Sequence, residues 1–106
     1  MELLKPIQIL KLYSVNKEES LFGKWIHDKH ISPLLLKLSN NLKVSEIGKS
    51  ENGISIHSVK FGSGKKKILI WTQMHGNEST GTKALFDLFN CFKNSNESII
   101  KTILEN

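Results

Sequence analysis

The chain contains no arginine: its fifteen basic residues are all lysine, set against ten acidic residues for a formal charge of +5. Readers of bases and phosphates lean on the planar, bidentate fork of arginine, so this positive balance describes a solvated lysine surface and excludes nucleic acid as the expected partner. The excess of Lys, Asn and Ile over Arg is the pattern of a genome-wide codon bias. There is one cysteine, Cys91, with no partner for an internal disulfide; lying inside an apolar helical pattern, it reads as a small core residue of a reduced protein. No stretch approaches 18 consecutive apolar residues, which excludes a membrane-spanning helix. Lys5 and Lys11 interrupt the apolar letters of the N-terminus and no small-residue cleavage site follows them, so a secretory signal is not expected and the location is expected to be cytoplasmic. The N-x-S sequons at Asn77 and Asn96 are then chance matches.

What is present fits one globular domain at most: 106 residues, 39% hydrophobic and 24% charged. Residues 1–31 read as a helical or extended lead-in, with weak helical spacing in Leu3, Leu4, Ile7 and Leu10 and a loop that packs Phe22 and Trp25 onto a neighbour. Ser32 as N-cap, Pro33 at the first helical position and Leu34, Leu35 and Leu38 on one side predict a short helix over 33–39. From Leu42 the period changes to two. Leu42 and Val44 alternate, a one-residue slip precedes Ile47, and Asn52-Gly53 is a turn signal leading into the alternating ISIHSVKF of residues 54–61. The lysine-rich GSGKKK of residues 62–67 reads as a second, solvated turn, and the nearly continuous apolar ILIWTQM of 68–74 as a strand buried on both faces. Gly81, Leu85, Leu88, Phe89 and Phe92 then mark one face of a helix from Glu78 or Ser79 to Lys93, and Asn96 caps a second helix bearing Ile99, Ile100, Ile103 and Leu104. Three strands and two helices, with no parallel strand to receive the second helix, describe an α/β chain cut in mid-fold.

Several motifs invite chemistry without supporting it. GSGKKK lacks the first glycine and the Ser/Thr of a phosphate loop and leads into a strand instead of a helix. His27 and His30 stand three apart with no third ligand at a useful distance, so they read as surface polar residues, and His57 as a half-exposed sheet residue.

His75 and Glu78 differ in context. They sit where the third strand gives way to a helix, separated by Gly76-Asn77, two residues suited to a turn. Catalytic zinc sites keep three protein ligands and one open position for water, and two histidines with one glutamate form a recurrent set. Ligands three residues apart can reach one ion if the first ends a strand and the second opens a helix, and the C-terminal ends of strands are where α/β sheets bind their ligands. Spacing alone also allows Glu78 to be no more than a favourable charge at a helix N-terminus.

The stretch QMHGNESTGTKALFDL, preceded by IGKSENGISI and by a Lys/Gly turn into ILIWT, resembles the N-terminal part of a zinc carboxypeptidase of the carboxypeptidase A-like metallopeptidase family. The resemblance runs over roughly residues 30–106. It implies an incomplete phosphorylase/hydrolase-like mixed sheet with flanking helices, with residues 32–106 as the truncated first part of one catalytic domain. It also implies one zinc ion, carried by His75 and Glu78, with the third ligand and the general base beyond Asn106. The activity implied is hydrolysis of peptide bonds at free C-termini by a zinc-activated water, absent from this piece alone. Ile54 stands where family members usually have an arginine, a departure outside the metal motif. An amidohydrolase of the succinylglutamate desuccinylase and aspartoacylase type, acting on N-acyl amino acids, shares the His-Gly-Asn-Glu string and the fold. A non-catalytic binding module on the same scaffold is a third reading.

Overall fold

The computed structural model describes residues 3–39 and 42–106. Among them are four helices, α1 (Pro6–Asn16), α2 (Asp28–Leu38), α3 (Thr80–Asn94) and α4 (Ser98–Glu105), and two strands, β1 (Lys43–Lys49) and β2 (Ser55–Lys60). The chain divides into two compact units, one of residues up to Ile26 together with Gly62–Asn106, the other His27–Phe61.

In the second unit, β1 and β2 form an antiparallel hairpin. Glu46 pairs with His57 and Gly48 with Ile56, leaving Ile47 as an extra, bulged residue. The one-residue slip in the apolar alternation is therefore a β-bulge, which carries the strand past an unpaired residue instead of ending it. Gly53, at a φ of 75°, closes the turn, with its N–H donating to Ser50 O and the Ser50 N–H to Ile54 O. Across the hairpin the Ser55 hydroxyl (2.6 Å) and Lys49 (3.4 Å) both bond the Glu46 carboxylate and hold its pKa below the ordinary value.

Helix α2 packs against β1 through a face on which Leu34, Leu35 and Leu38 are buried. It starts five residues before the predicted position: His27, not Ser32, is the N-cap, its N–H donating to His30 Nδ1. Asp28 sits in the first turn, where a negative charge suits the helix dipole. Pro33 therefore lies inside the helix and leaves the Lys29 carbonyl without its i+4 donor, a defect tolerated because three leucines bury on the same element.

The first unit is built around α3. Pro6 occupies the first position of α1, where its missing N–H costs nothing. Polar groups fasten the turn after α1 to α3: the Glu18 N–H donates to Asp87 Oδ1, and Asn90 Nδ2 donates to Asn16 O and Glu18 Oε2. Buried Asn16 is satisfied by donating to Leu12 O. The core comprises Leu21, Ile26, Phe86, Phe89, Cys91, Phe92 and Ile100, with the Phe86 and Phe89 rings edge-to-face at 5.6 Å. Phe89 and Phe92 of the predicted face are buried, while Thr82, Phe86 and Cys91 join them in place of Gly81, Leu85 and Leu88. Cys91 is buried and free, as expected, and burial, then the charge of Glu97, pushes its thiol pKa up. Glu97 rather than Asn96 is the N-cap of α4.

Two expectations are corrected in this unit. Phe22 and Trp25 are exposed, and their neighbours Leu21 and Ile26 are the residues that pack. The third strand is absent among the described residues: 68–74 is unpaired, with Ile68 and Leu69 80% and 83% exposed. A strand is fixed by hydrogen bonds to neighbours, and no described segment provides any here. The glycine-rich turn before it closes no hairpin. Instead Ser63 N–H donates to Leu104 O and Lys66 N–H to Asn106 O, wrapping residues 62–66 around the end of α4. A Cβ at Gly62 would stand 2.8 Å from Leu104 O, and one at Gly64 would collide with the Asn106 backbone. Among the described residues no helix is long and apolar enough to cross a membrane.

Candidate functional site

His75 and Glu78 are the first and fourth residues of a tight turn closed by the Glu78 N–H donating to His75 O at 3.1 Å. A turn of this kind brings its end residues onto one side, and the His75 Nδ1 and Glu78 Oε2 atoms lie 3.0 Å apart. Both side chains are about two-thirds exposed (69% and 66%), so as an ion pair they add little to stability. In this contact the His75 ring donates from Nδ1 to the Glu78 carboxylate, and both groups become lone-pair donors at one point of the surface once that proton is displaced.

The route to this geometry differs from the predicted one. His75 does not end a paired strand, and Glu78 precedes the helix, whose N-cap is Ser79. Nor does the backbone freedom of Gly76 or Asn77 matter most. Among the described non-glycine residues, the one with positive φ is Gln73, at 54°. Its amide Nε2 donates to Gly76 O at 2.9 Å and to Ile26 O, and its Oε1 accepts from the Thr82 hydroxyl at 2.8 Å. With the Thr82 proton committed to Gln73, the Thr72 hydroxyl donates to Thr82 Oγ1 at 2.9 Å. Gly81 permits this approach, since a Cβ there would stand 3.1 Å from the Thr72 methyl.

Further bonds fix the base of the turn. Buried Ser79 donates to Lys24 O at 2.7 Å, and Lys83 Nζ to Gly23 O at 2.8 Å. None of these partners shows in the spacing of residues. The bonds to Ile26, Lys24 and Gly23 join positions 47 to 60 apart in sequence, and Gln, Ser and Lys carry no periodic signal for such a bond.

The other histidines belong to the second unit. The His27 and His30 rings meet at a tilt of 54° with centroids 4.0 Å apart at the head of α2, and His57 is exposed on β2 opposite Glu46. Among the described residues no group of three or more His, Cys, Asp or Glu is placed to hold a metal ion.

Comparison with the curated proteins and with the solved structures gives no match. Among protein families, the zinc carboxypeptidase family matches residues 29–106, well over half of the chain and the whole of the His75–Glu78 turn. The chain belongs to the zinc carboxypeptidase family.

Proposed function

We propose that the protein is a zinc-dependent metallocarboxypeptidase in which His75 and Glu78 are two of the three protein ligands to one catalytic zinc ion. The observation that carries this reading is the 3.0 Å separation of His75 Nδ1 and Glu78 Oε2 across a turn inside the family match. Zinc bonds of about 2.0–2.2 Å place two tetrahedral donors about 3.4 Å apart, so the observed pair needs a small spreading of two exposed side chains and displacement of the proton between Nδ1 and Oε2. The donor set fits the ion as well, since imidazole nitrogen and carboxylate oxygen are its ordinary ligands.

When bound, zinc lowers the pKa of its water to about 7 and polarises a carbonyl, the chemistry needed to hydrolyse a peptide bond next to a free C-terminal carboxylate. His75 binds as neutral imidazole and Glu78 as carboxylate, so protonation of either releases the metal. Two donors do not close a site: the reading requires a third ligand and a general base from residues beyond these 106. Residues 32–106 are then part of one catalytic domain, with a mixed sheet completed elsewhere in the protein, and alone they bind zinc weakly and do not turn over substrate. Zinc content of the full-length protein tests the assignment. His75→Ala or Glu78→Ala should each remove most of the metal, and unchanged stoichiometry in either variant sinks the proposal.

The string His75-Gly76-Asn77-Glu78 favours a second reading, a deacylase of the succinylglutamate desuccinylase and aspartoacylase type. Release of C-terminal residues from a peptide, set against hydrolysis of N-acyl amino acids by the same preparation, separates the two.

A further inference from the structure

We propose that Gln73 is the positioning residue of the His75–Glu78 pair, an inference that rests on the reading of that pair as metal ligands. All the hydrogen-bonding capacity used by its amide is directed. Ile26 O and Gly76 O can only accept, which fixes the amino group towards them and leaves Oε1 for the Thr82 hydroxyl. Gly76 O belongs to the turn that has His75 and Glu78 at its ends, whereas Thr82 is buried in the first turn of α3 and Ile26 is buried in the core of the same unit. Gln73 thus ties the turn to two fixed points.

His75 and Glu78 have no other such tie: among the described residues, their side chains hydrogen-bond only to each other. Gln73 is also an unfavourable residue for its own backbone. A φ of 54° suits glycine or asparagine, and a longer side chain persists there only where its surroundings over-determine it. The amide supplies what glycine lacks, a double donor that spans from the chain entering the turn to a carbonyl within it. Groups that hold metal ligands in place commonly set affinity by about 10- to 100-fold without touching the ion.

The test is the zinc affinity of the full-length protein, measured by competition with a chromophoric chelator, together with the absorption spectrum of the cobalt-substituted protein as a report on ligand geometry. Gln73→Glu keeps the length and can still accept from Thr82, but cannot donate to Gly76 O or Ile26 O. Gln73→Gly relaxes the backbone and removes the amide. Both should weaken zinc by about 10- to 100-fold and alter the cobalt spectrum. Thr82→Val should weaken it less, and Thr82→Ser, which restores the hydroxyl, should recover it. Unchanged affinity and spectrum in Gln73→Gly overturn the inference even if Gln73→Glu binds poorly, because the added charge then accounts for the loss. His75→Ala in the same assay separates the two claims: zinc retained there removes the ligand assignment itself, whereas zinc lost there but kept in both Gln73 variants removes only the role of Gln73.

Discussion

Three stretches of this chain read as strands, and the third meets a different fate from the first two. Lys43–Lys49 and Ser55–Lys60 carry alternating, half-apolar patterns joined by a glycine turn, and each finds its hydrogen-bond partner a few residues away. Residues 68–71 are more apolar than either, yet remain unpaired and exposed. Apolar content therefore decides less than the nearness of a partner. A hairpin strand brings its neighbour with it, whereas a strand of the fully buried kind depends on neighbours from distant parts of a sheet.

The contrast can be broken most directly by truncating one leucine in each unit. Leu38, 3% exposed beside the hairpin, should lose about 2–5 kcal/mol on Leu38→Ala. Leu69→Ala should lower the free energy of urea unfolding of the 106-residue chain by no more than about 0.5 kcal/mol, and a larger loss would mean that 68–71 is packed after all. Next in size, Gly53→Ala forces a Cβ into a φ of 75° where nothing else crowds it, so the hairpin should weaken by about 1 kcal/mol, read as lower amide-exchange protection in β1 and β2. Ile68–Trp71 amides should exchange rapidly with or without that change.

The smallest effect expected is that of pH on Glu46. Its carboxyl pKa is lowered in the folded hairpin, first by the Ser55 hydroxyl and then by Lys49, so its contribution is complete above the unfolded-state pKa and is lost as pH falls through the folded-state value. Hairpin protection should decline over that acidic window, and Ser55→Ala should move the decline towards the ordinary carboxylate range.

The same contrast explains what could be read in advance. Local signals were legible: the slip before Ile47 became the bulge, Asn52-Gly53 the turn, and the apolar spacing after Thr80 the helix α3. Signals that depend on distant parts of the chain were not. Pro33 following Ser32 looks like a helix start, but the cap at His27 and the leucine face extend α2 backwards through it. Phe22 and Trp25 have the composition of a buried pair, and the chain instead buries their neighbours Leu21 and Ile26. At the candidate site, the three-residue spacing of His75 and Glu78 was enough to bring them together, because a tight turn is a local object. Gln73, which anchors that turn, gives no sign in sequence, since its partners Ile26 and Thr82 are defined only by the folded core.

The glycine turn around the end of α4 has a kinetic corollary. Its bonds from Ser63 and Lys66 to Leu104 and Asn106 close a ring of about forty residues, whose chain entropy must be lost before the first bond forms. Contacts of that reach slow the search for the folded state and form after the short-range ones. The clasp between 62–66 and α4 is thus a late event in folding and an early one in unravelling, and a protease that samples transient openings should find the last helix before it finds α3.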